Sequence, residues 1–344
     1  MAKRIGRYTI KMENHPAIIG YAAVCGKKEA EGPLGHYFDY TFDDSMLGET
    51  SWEKAESRLQ TESVIRALNK SGVSKEDVDF IFAGDLLNQC ISSTFGLRSL
   101  NIPFLGQFGA CSTMAQTLAL SSIMVETGVA KHCIAVTSSH FCAAERQFRF
   151  PLEYGGQRTP TAQWTVTGSG AAVLGKDDKS PFISAVTVGK IVDLGVKDAN
   201  NMGAAMAPAA AATISDFFND TKTKPSDYDL ILTGDLGEVG SKLLNELLTK
   251  ENIDISKNHS DCGILIFDKK SQDVHAGGSG CGCSASVLCS TILNKLSSKE
   301  MNNILFIATG ALMSPTSSQQ GESIPSIAHL VNIKSSKKLV ALQS

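Results

Sequence analysis

Asp79–Leu86 reads DFIFAGDL and Asp229–Leu236 reads DLILTGDL, the same short apolar run ending in Gly-Asp, shifted by 150 positions. A repeat at that spacing is the signature of a duplicated unit, and it sets the frame for the rest of the chain. Ahead of the first copy, Trp52–Lys70 places Ala55, Leu59, Val64, Ile65 and Leu68 near one face at helical spacing. Ahead of the second, the Ala-rich stretch Pro208–Thr221 takes the same part. Downstream of the first copy, Cys111-Ser112-Thr113 opens an apolar helix that Gly128 closes as a C-cap. Cys283-Ser284-Ala285 opens its counterpart in the second half. Each helix is followed by an apolar strand, His132–Thr137 and Ile304–Thr309. Helices apolar all round are buried, and continuous Val/Ile/Phe strands belong to sheets covered on both faces. The expectation is an α/β chain of two similar halves, residues 1–175 and 176–344, with two sheets packed across a shared helical layer. An insertion around residues 139–166 belongs to the first half.

The bulk properties agree. A length of 344 residues exceeds the roughly 250–300 at which one hydrophobic core stops growing. Hydrophobic residues at 42% and charged residues at 19% mark an ordinary globular chain. A net charge of −3 and a pI near 6.2 carry no footprint for nucleic acid. The nine cysteines lie in apolar runs and read as free thiols of a reducing compartment. No run of 18 or more apolar residues is present, and MAKRIGRYTIKMENH has no apolar signal core, so a soluble protein is expected.

Gly109-Ala110-Cys111-Ser112 at the head of a buried helix resembles the nucleophile turn of thiolases and β-ketoacyl synthases. Thr167–Leu174 (TGSGAAVL) resembles their Gly-rich closing strand, and Gly280–Ser286 (GCGCSAS) lies where they carry Gly-Asn-Thr-Ser-Ala-Ala-Ser. The resemblance implies a thiolase-like duplicated α-β-α-β-α layered fold. A cysteine at a helix N-terminus has its thiolate favoured by the dipole, and a neighbouring His completes an acyl-transfer site. That pattern breaks here. Gly234-Asp235-Leu236-Gly237 stands where condensing enzymes carry a His-containing turn, Cys281 replaces the Asn, and an acid beside a cysteine raises its pKa.

Longer strings narrow the match. GQFGACSTMAQTLAL, SSHFCAAERQFRFPLEYGGQRTPTAQWTVTGSGAA, ILTGDLGEVGSKLL and SPTSSQQGESIPSIAH resemble the stage V sporulation protein AD (SpoVAD) family of spore-forming bacteria. This resemblance implies a non-catalytic subunit of the SpoVA complex that binds dipicolinic acid (pyridine-2,6-dicarboxylate). It implies roles in dipicolinate uptake into the developing spore and release in germination. It also implies a homodimer, held peripherally at the forespore or spore inner membrane by the other SpoVA proteins, with Ca²⁺ as a companion of the ligand. A flat dianion calls for guanidinium forks, amide donors and an aromatic face. The candidates for ligand contact are Cys111, His140, Arg146, Gln157, Arg158, Trp164, Asp235, Cys281 and Gln319, with His140 and Cys111 expected to share one pocket. Arg149, Phe148, Phe150, Tyr154 and Gln163 lie in the same insertion. An Arg-aromatic run serves equally as a dimer interface. Cys281 and Cys283 read more simply as small residues permitting close helix approach. The competing functional reading is a Cys111-dependent acyltransferase or condensing enzyme acting on acyl-CoA thioesters, and a third is a purely structural scaffold.

Overall fold

The structure is a computed structural model, and it describes residues 2–148, 158–178 and 180–335. Ten strands carry the architecture. The first half supplies β1 (Ala17–Cys25), β2 (Phe80–Gly84), β3 (Phe104–Gly106), β4 (Cys133–Ser139) and β5 (Gly168–Gly175). They lie in the order β3-β2-β4-β5-β1, with β2 parallel to β3 and β4, and β5 antiparallel to β4 and β1. The second half supplies β6 (Phe182–Thr187), β7 (Leu230–Thr233), β8 (His259–Asp261), β9 (Asn303–Ala311) and β10 (Ser326–Lys334). Their order, β8-β7-β9-β10-β6, repeats the first strand for strand and direction for direction. The two sheets touch edge to edge where Phe182 pairs with Ala17.

The repeat extends to single hydrogen bonds. Asp79 accepts the backbone N–H groups of Lys131 (2.6 Å) and His132 (3.1 Å). Asp229, 150 positions on, accepts those of Asn302 (2.6 Å) and Asn303 (3.0 Å). Each aspartate ties the turn before its own central strand to the start of the neighbouring one.

Helices sort into three layers. α1 (Trp52–Ser71) covers the outer face of β1, β4 and β5. α2 (Thr113–Thr127) packs against β2 and β4 of its own half and also against β9 and β10 of the other. α3 (Phe141–Phe148) follows β4 in the insertion. α4 (Met202–Thr221) covers the outer face of β9 and β10, with α5 (Gly237–Lys250) beside it. α6 (Cys281–Val287) joins α2 between the sheets, and a π-helical turn at Leu288–Ile292 carries it on to Leu293–Ser297. The layering is therefore α-β-α-β-α.

Strand alternation builds the core on both faces of each sheet. Phe82 and Ala135 point to the central layer with Met114, Leu118 and Leu288. Their neighbours Ile81 and Ile134 point outward to Val64 and Leu68 of α1. In the second sheet Leu232 and Phe306 face the centre, while Ile231 and Leu305 meet Ile214 and Phe217 of α4. Each such Phe, Leu, Ile, Val or Met side chain, fully buried, is worth roughly 1.5–3 kcal/mol.

Three sequence expectations need adjustment. Ile65 is exposed, because it lies 100° around the helix from buried Val64. α4 begins at Met202, upstream of Pro208, where Asn201 caps it by accepting the N–H of Ala204. The second central helix begins at Cys281 rather than Cys283.

Candidate functional site

Cys111 sits at the junction of the halves. Ala110 adopts φ +50, which turns the chain sharply into α2. The turn is locked from inside: Ser112 Oγ donates to the Gly109 carbonyl at 2.7 Å and Thr113 Oγ1 to the Ala110 carbonyl at 2.6 Å. The end of β9 comes so near that a Cβ on Gly310 would lie 2.2 Å from the Gly109 oxygen. Only glycine permits that approach, and it delivers the second half's residues to Cys111.

Asp235 is the nearest of them, and its side chain has no exposed surface. Its carboxylate accepts from Thr309 Oγ1 (2.9 Å), Ser279 Oγ (3.1 Å) and the Gly280 N–H (2.9 Å), and the Cys111 thiol lies near it. Burial raises the Asp235 pKa, and these donors work against the rise. Burial also pushes the Cys111 thiol well above its ordinary range, and the Asp235 charge pushes it further in the same direction. Cys281 is wholly buried in the same apolar cluster as Cys111, and its thiol donates to the Ser138 carbonyl at 2.9 Å. Cys111, Asp235 and Cys281 are therefore brought together. All nine cysteines are free thiols.

A pocket opens above Cys111, with about 530 Å³ of space including its mouth. Leu86, Ala144, Phe148, Met202, Met206 and Met313 give it apolar walls, and Glu145, Thr165 and Ser279 add polar atoms. No Lys, Arg or His lies among its described lining residues.

The remaining candidates are placed elsewhere. His140 does not share the Cys111 pocket. Its Nε2 donates to the Ser45 carbonyl at 2.7 Å, and burial lowers its pKa, so the ring is held neutral. It lines a separate, more polar cleft whose charged residues are Lys27, Lys28, Glu29, Glu31, Asp43 and Asp44, with Phe141 and Trp164 as its aromatic wall. There Trp164 stacks on Phe141, with centroids 3.8 Å apart and planes 8° from parallel. Lys28 Nζ lies 4.2 Å and Arg158 Cζ 4.6 Å from the Trp164 ring centroid. Arg158 also pairs with Asp273 at 3.0 Å. Arg146 lies on the opposite side of α3, paired with Glu53 and over the Trp52 ring. Gln319 is exposed at the end of the short helix Pro315–Gln319. Gln157 lies outside the described residues, as do Arg149, Phe150 and Tyr154.

Helix and strand periodicity hold the signal that sorts these residues. In FCAAERQF, Ala144, Glu145 and Phe148 share the face toward Cys111, while Ala143, Arg146 and Gln147 share the other. Trp164 and Thr165 are consecutive in a short strand, so one faces the cleft and the other the Cys111 pocket. The methionine wall from α4 had no sequence motif to announce it.

The family model of stage V sporulation protein AD (SpoVAD) matches residues 6–334. Stage V sporulation protein AD of Bacillus subtilis (strain 168) is 48% identical over 328 residues, covering 95% of this chain and 96% of that protein. Among solved structures, 3-oxoacyl-[acyl-carrier-protein] synthase III from Aquifex aeolicus VF5 aligns with a TM-score of 0.56 at 13% identity, covering 93% of this chain and 99% of that one. A variant of Xanthomonas campestris OleA aligns with a TM-score of 0.59 at 12% identity, covering 93% and 98%. At such identities the solved structures speak to the fold, which is thiolase-like, and not to activity. The 48% relative and the match over nearly the whole chain speak to descent: this chain belongs to the stage V sporulation protein AD family.

Proposed function

We propose that the chain is a non-catalytic binding subunit for dipicolinic acid within the SpoVA complex, serving dipicolinate uptake into the developing spore and its release in germination. The observation that carries the non-catalytic part is the Cys111–Asp235 contact. An acyl-transfer cysteine needs a base to take its proton and a lowered pKa. Here the partner is a buried carboxylate that keeps the proton on sulfur. For the ligand, Phe141, Trp164, Lys27 and Lys28 give the His140 cleft aromatic rings and cations of the kind that a flat dianion calls for, with Glu29, Glu31, Asp43 and Asp44 as the acids beside them. The described residues contain no cluster of three or more His, Cys, Asp or Glu side chains fit to hold a metal. On this reading Ca²⁺ enters with the ligand, whose ring nitrogen and carboxylates supply hard donors of their own.

No described helix is long and apolar enough to cross a membrane. Attachment to the spore inner membrane therefore runs, in this proposal, through the other SpoVA proteins. A homodimer forms through β3, whose residues are all exposed at the edge of the first sheet, next to exposed Phe108. An open edge with Phe104 and Leu105 on it is a template for an antiparallel copy of itself.

One feature favours the second reading, an acyltransferase: the apolar pocket stands directly over a cysteine at a helix N-terminus. The two are separated by incubating the protein with acyl-CoA and following intact mass, beside a melting curve with dipicolinate. A melting shift without a covalent adduct supports the binder. An acyl adduct on Cys111 without a melting shift supports the enzyme.

A further inference from the structure

Glu56 of α1 and Asp85, the residue after β2, are both buried with no exposed surface. Asp85 commits its carboxylate to one turn: Oδ1 accepts the Leu87 N–H at 2.9 Å, and Oδ2 accepts the Ser93 N–H at 2.8 Å and its hydroxyl at 2.6 Å. That turn is strained. Gln89 and Cys90 are consecutive non-glycine residues in the left-handed region, at φ +57 and +50. Such conformations persist only where the surroundings over-determine them. The Asp85 bonds are one restraint. The other is Gln147 of α3, whose Oε1 accepts the Asn88 N–H at 3.1 Å and whose Nε2 donates to the Leu86 carbonyl at 3.4 Å. The side chain of Leu86, at the head of this turn, is a wall of the Cys111 pocket.

Glu56 stands behind the turn. Its Oε1 accepts from Ser138 Oγ at 2.9 Å, and the Ser138 carbonyl accepts the Cys281 thiol at the pocket floor. Gln60 Nε2 ties the same network together through Ser138 Oγ and Ser93 Oγ, both at 2.9 Å. The charged or titratable neighbours are Asp85 at the other end of the Ser138–Gln60–Ser93 link, Glu53 on the same helix, Cys281 on α6 and Cys90 in the turn.

We infer that Glu56 and Asp85 hold one proton between them, and that losing it to bulk water releases the Leu86–Cys90 turn and shifts Leu86 out of the pocket wall. With one proton present, Asp85 is a carboxylate holding its three donors and Glu56 is a neutral acid. With none, two buried carboxylates stand in one hydrogen-bond network, linked through Ser138, Gln60 and Ser93. The restraint that offsets the strain in the turn is then opposed by repulsion. Burial raises both acids, and the Asp85 charge raises Glu56 further, which places the loss above the ordinary carboxylate range. The device is independent of which ligand the Cys111 pocket takes.

The test is amide hydrogen exchange of the segment Leu86–Ser93 in the full chain from roughly pH 6 to 9, corrected for the intrinsic pH dependence of exchange. Protection falls by about tenfold or more across that range in the wild type, one unit of carboxyl repulsion. In Glu56→Gln, which keeps shape and removes one charge, protection stays flat. A flat wild-type profile, or a Glu56→Gln profile that falls in parallel with it, overturns the inference. If Glu56→Gln does not fold, infrared titration of the wild type decides: a buried protonated-carboxyl C=O band persisting above the ordinary carboxylate range supports the shared proton, and its absence overturns it.

Discussion

Cys111 and Asp235 lie close enough to act on each other's protonation, and Asp235 has no exposed surface. The pairing brings the nucleophile-position turn of one half to the Gly-Asp turn of the other, and the Asp235 charge adds to burial in raising the Cys111 pKa.

A sluggish thiol follows. Near neutral pH Cys111 reacts slowly with iodoacetamide, because the reactive species is the thiolate and both burial and the Asp235 charge oppose it. Asp235→Asn removes the charge and speeds labelling of Cys111 by about tenfold or more, one unit of pKa being a factor of ten in thiolate. Peptide-resolved mass spectrometry separates Cys111 from the other eight thiols. Equal rates in the two proteins would show that Asp235 does not govern the sulfur.

Stability declines as pH rises from about 4 to about 7. Burial lifts Glu29 from an ordinary 4.5 to about 7, and Asp261 from 3.8 to about 7. A carboxyl whose folded value is raised contributes nothing adverse below its unfolded value. Its cost grows between the two values and is complete above about 7. For Glu29 that cost is on the order of 3 kcal/mol. Urea unfolding across this pH range shows the fall in the wild type and a shallower slope in Glu29→Gln. A wild-type stability flat in pH would contradict it.

The two arginines part company. Arg158→Ala weakens dipicolinate binding by about 1.5–3 kcal/mol, the loss of a charge-assisted pair beside Trp164. Arg146→Ala leaves binding unchanged and lowers stability by about 0–1 kcal/mol, because its pair with Glu53 is half exposed and lies behind α3. Calorimetric affinities of both variants check this, and the opposite ranking would move the site to the Arg146 side of the helix.

Phe104→Lys on the β3 edge places like charges opposite each other in the proposed two-fold pairing, so the wild type sediments as a dimer and the variant as a monomer. A dimer that survives the substitution would place the interface elsewhere.

Much of the fold was legible because duplication writes each signal twice. DFIFAGDL and DLILTGDL become β2 and β7, each bordered by an aspartate that ties down the neighbouring strand. The site was less legible because linear proximity mixes faces. His140, Arg146, Trp164 and Cys111 look like neighbours in the insertion and its flanks, yet α3 and one strand alternation divide them among three surfaces. Asp235 was visible as a departure from a pattern, while its grip on Cys111 needed Gly310 to bring the second half within reach. The hydrogen-bond network that links Glu56 to Asp85 through Ser138, Gln60 and Ser93 joins α1 to the end of β2 and has no local sequence signature.

The most direct measurement is a calorimetric titration of the full chain with dipicolinate, with and without Ca²⁺, and with phthalate as the control that lacks the ring nitrogen. Saturable binding of dipicolinate, weaker binding of phthalate and no covalent change in the protein are expected. Absence of heat with dipicolinate under both conditions, together with an acyl adduct on Cys111 from acyl-CoA, would contradict the proposed binding role.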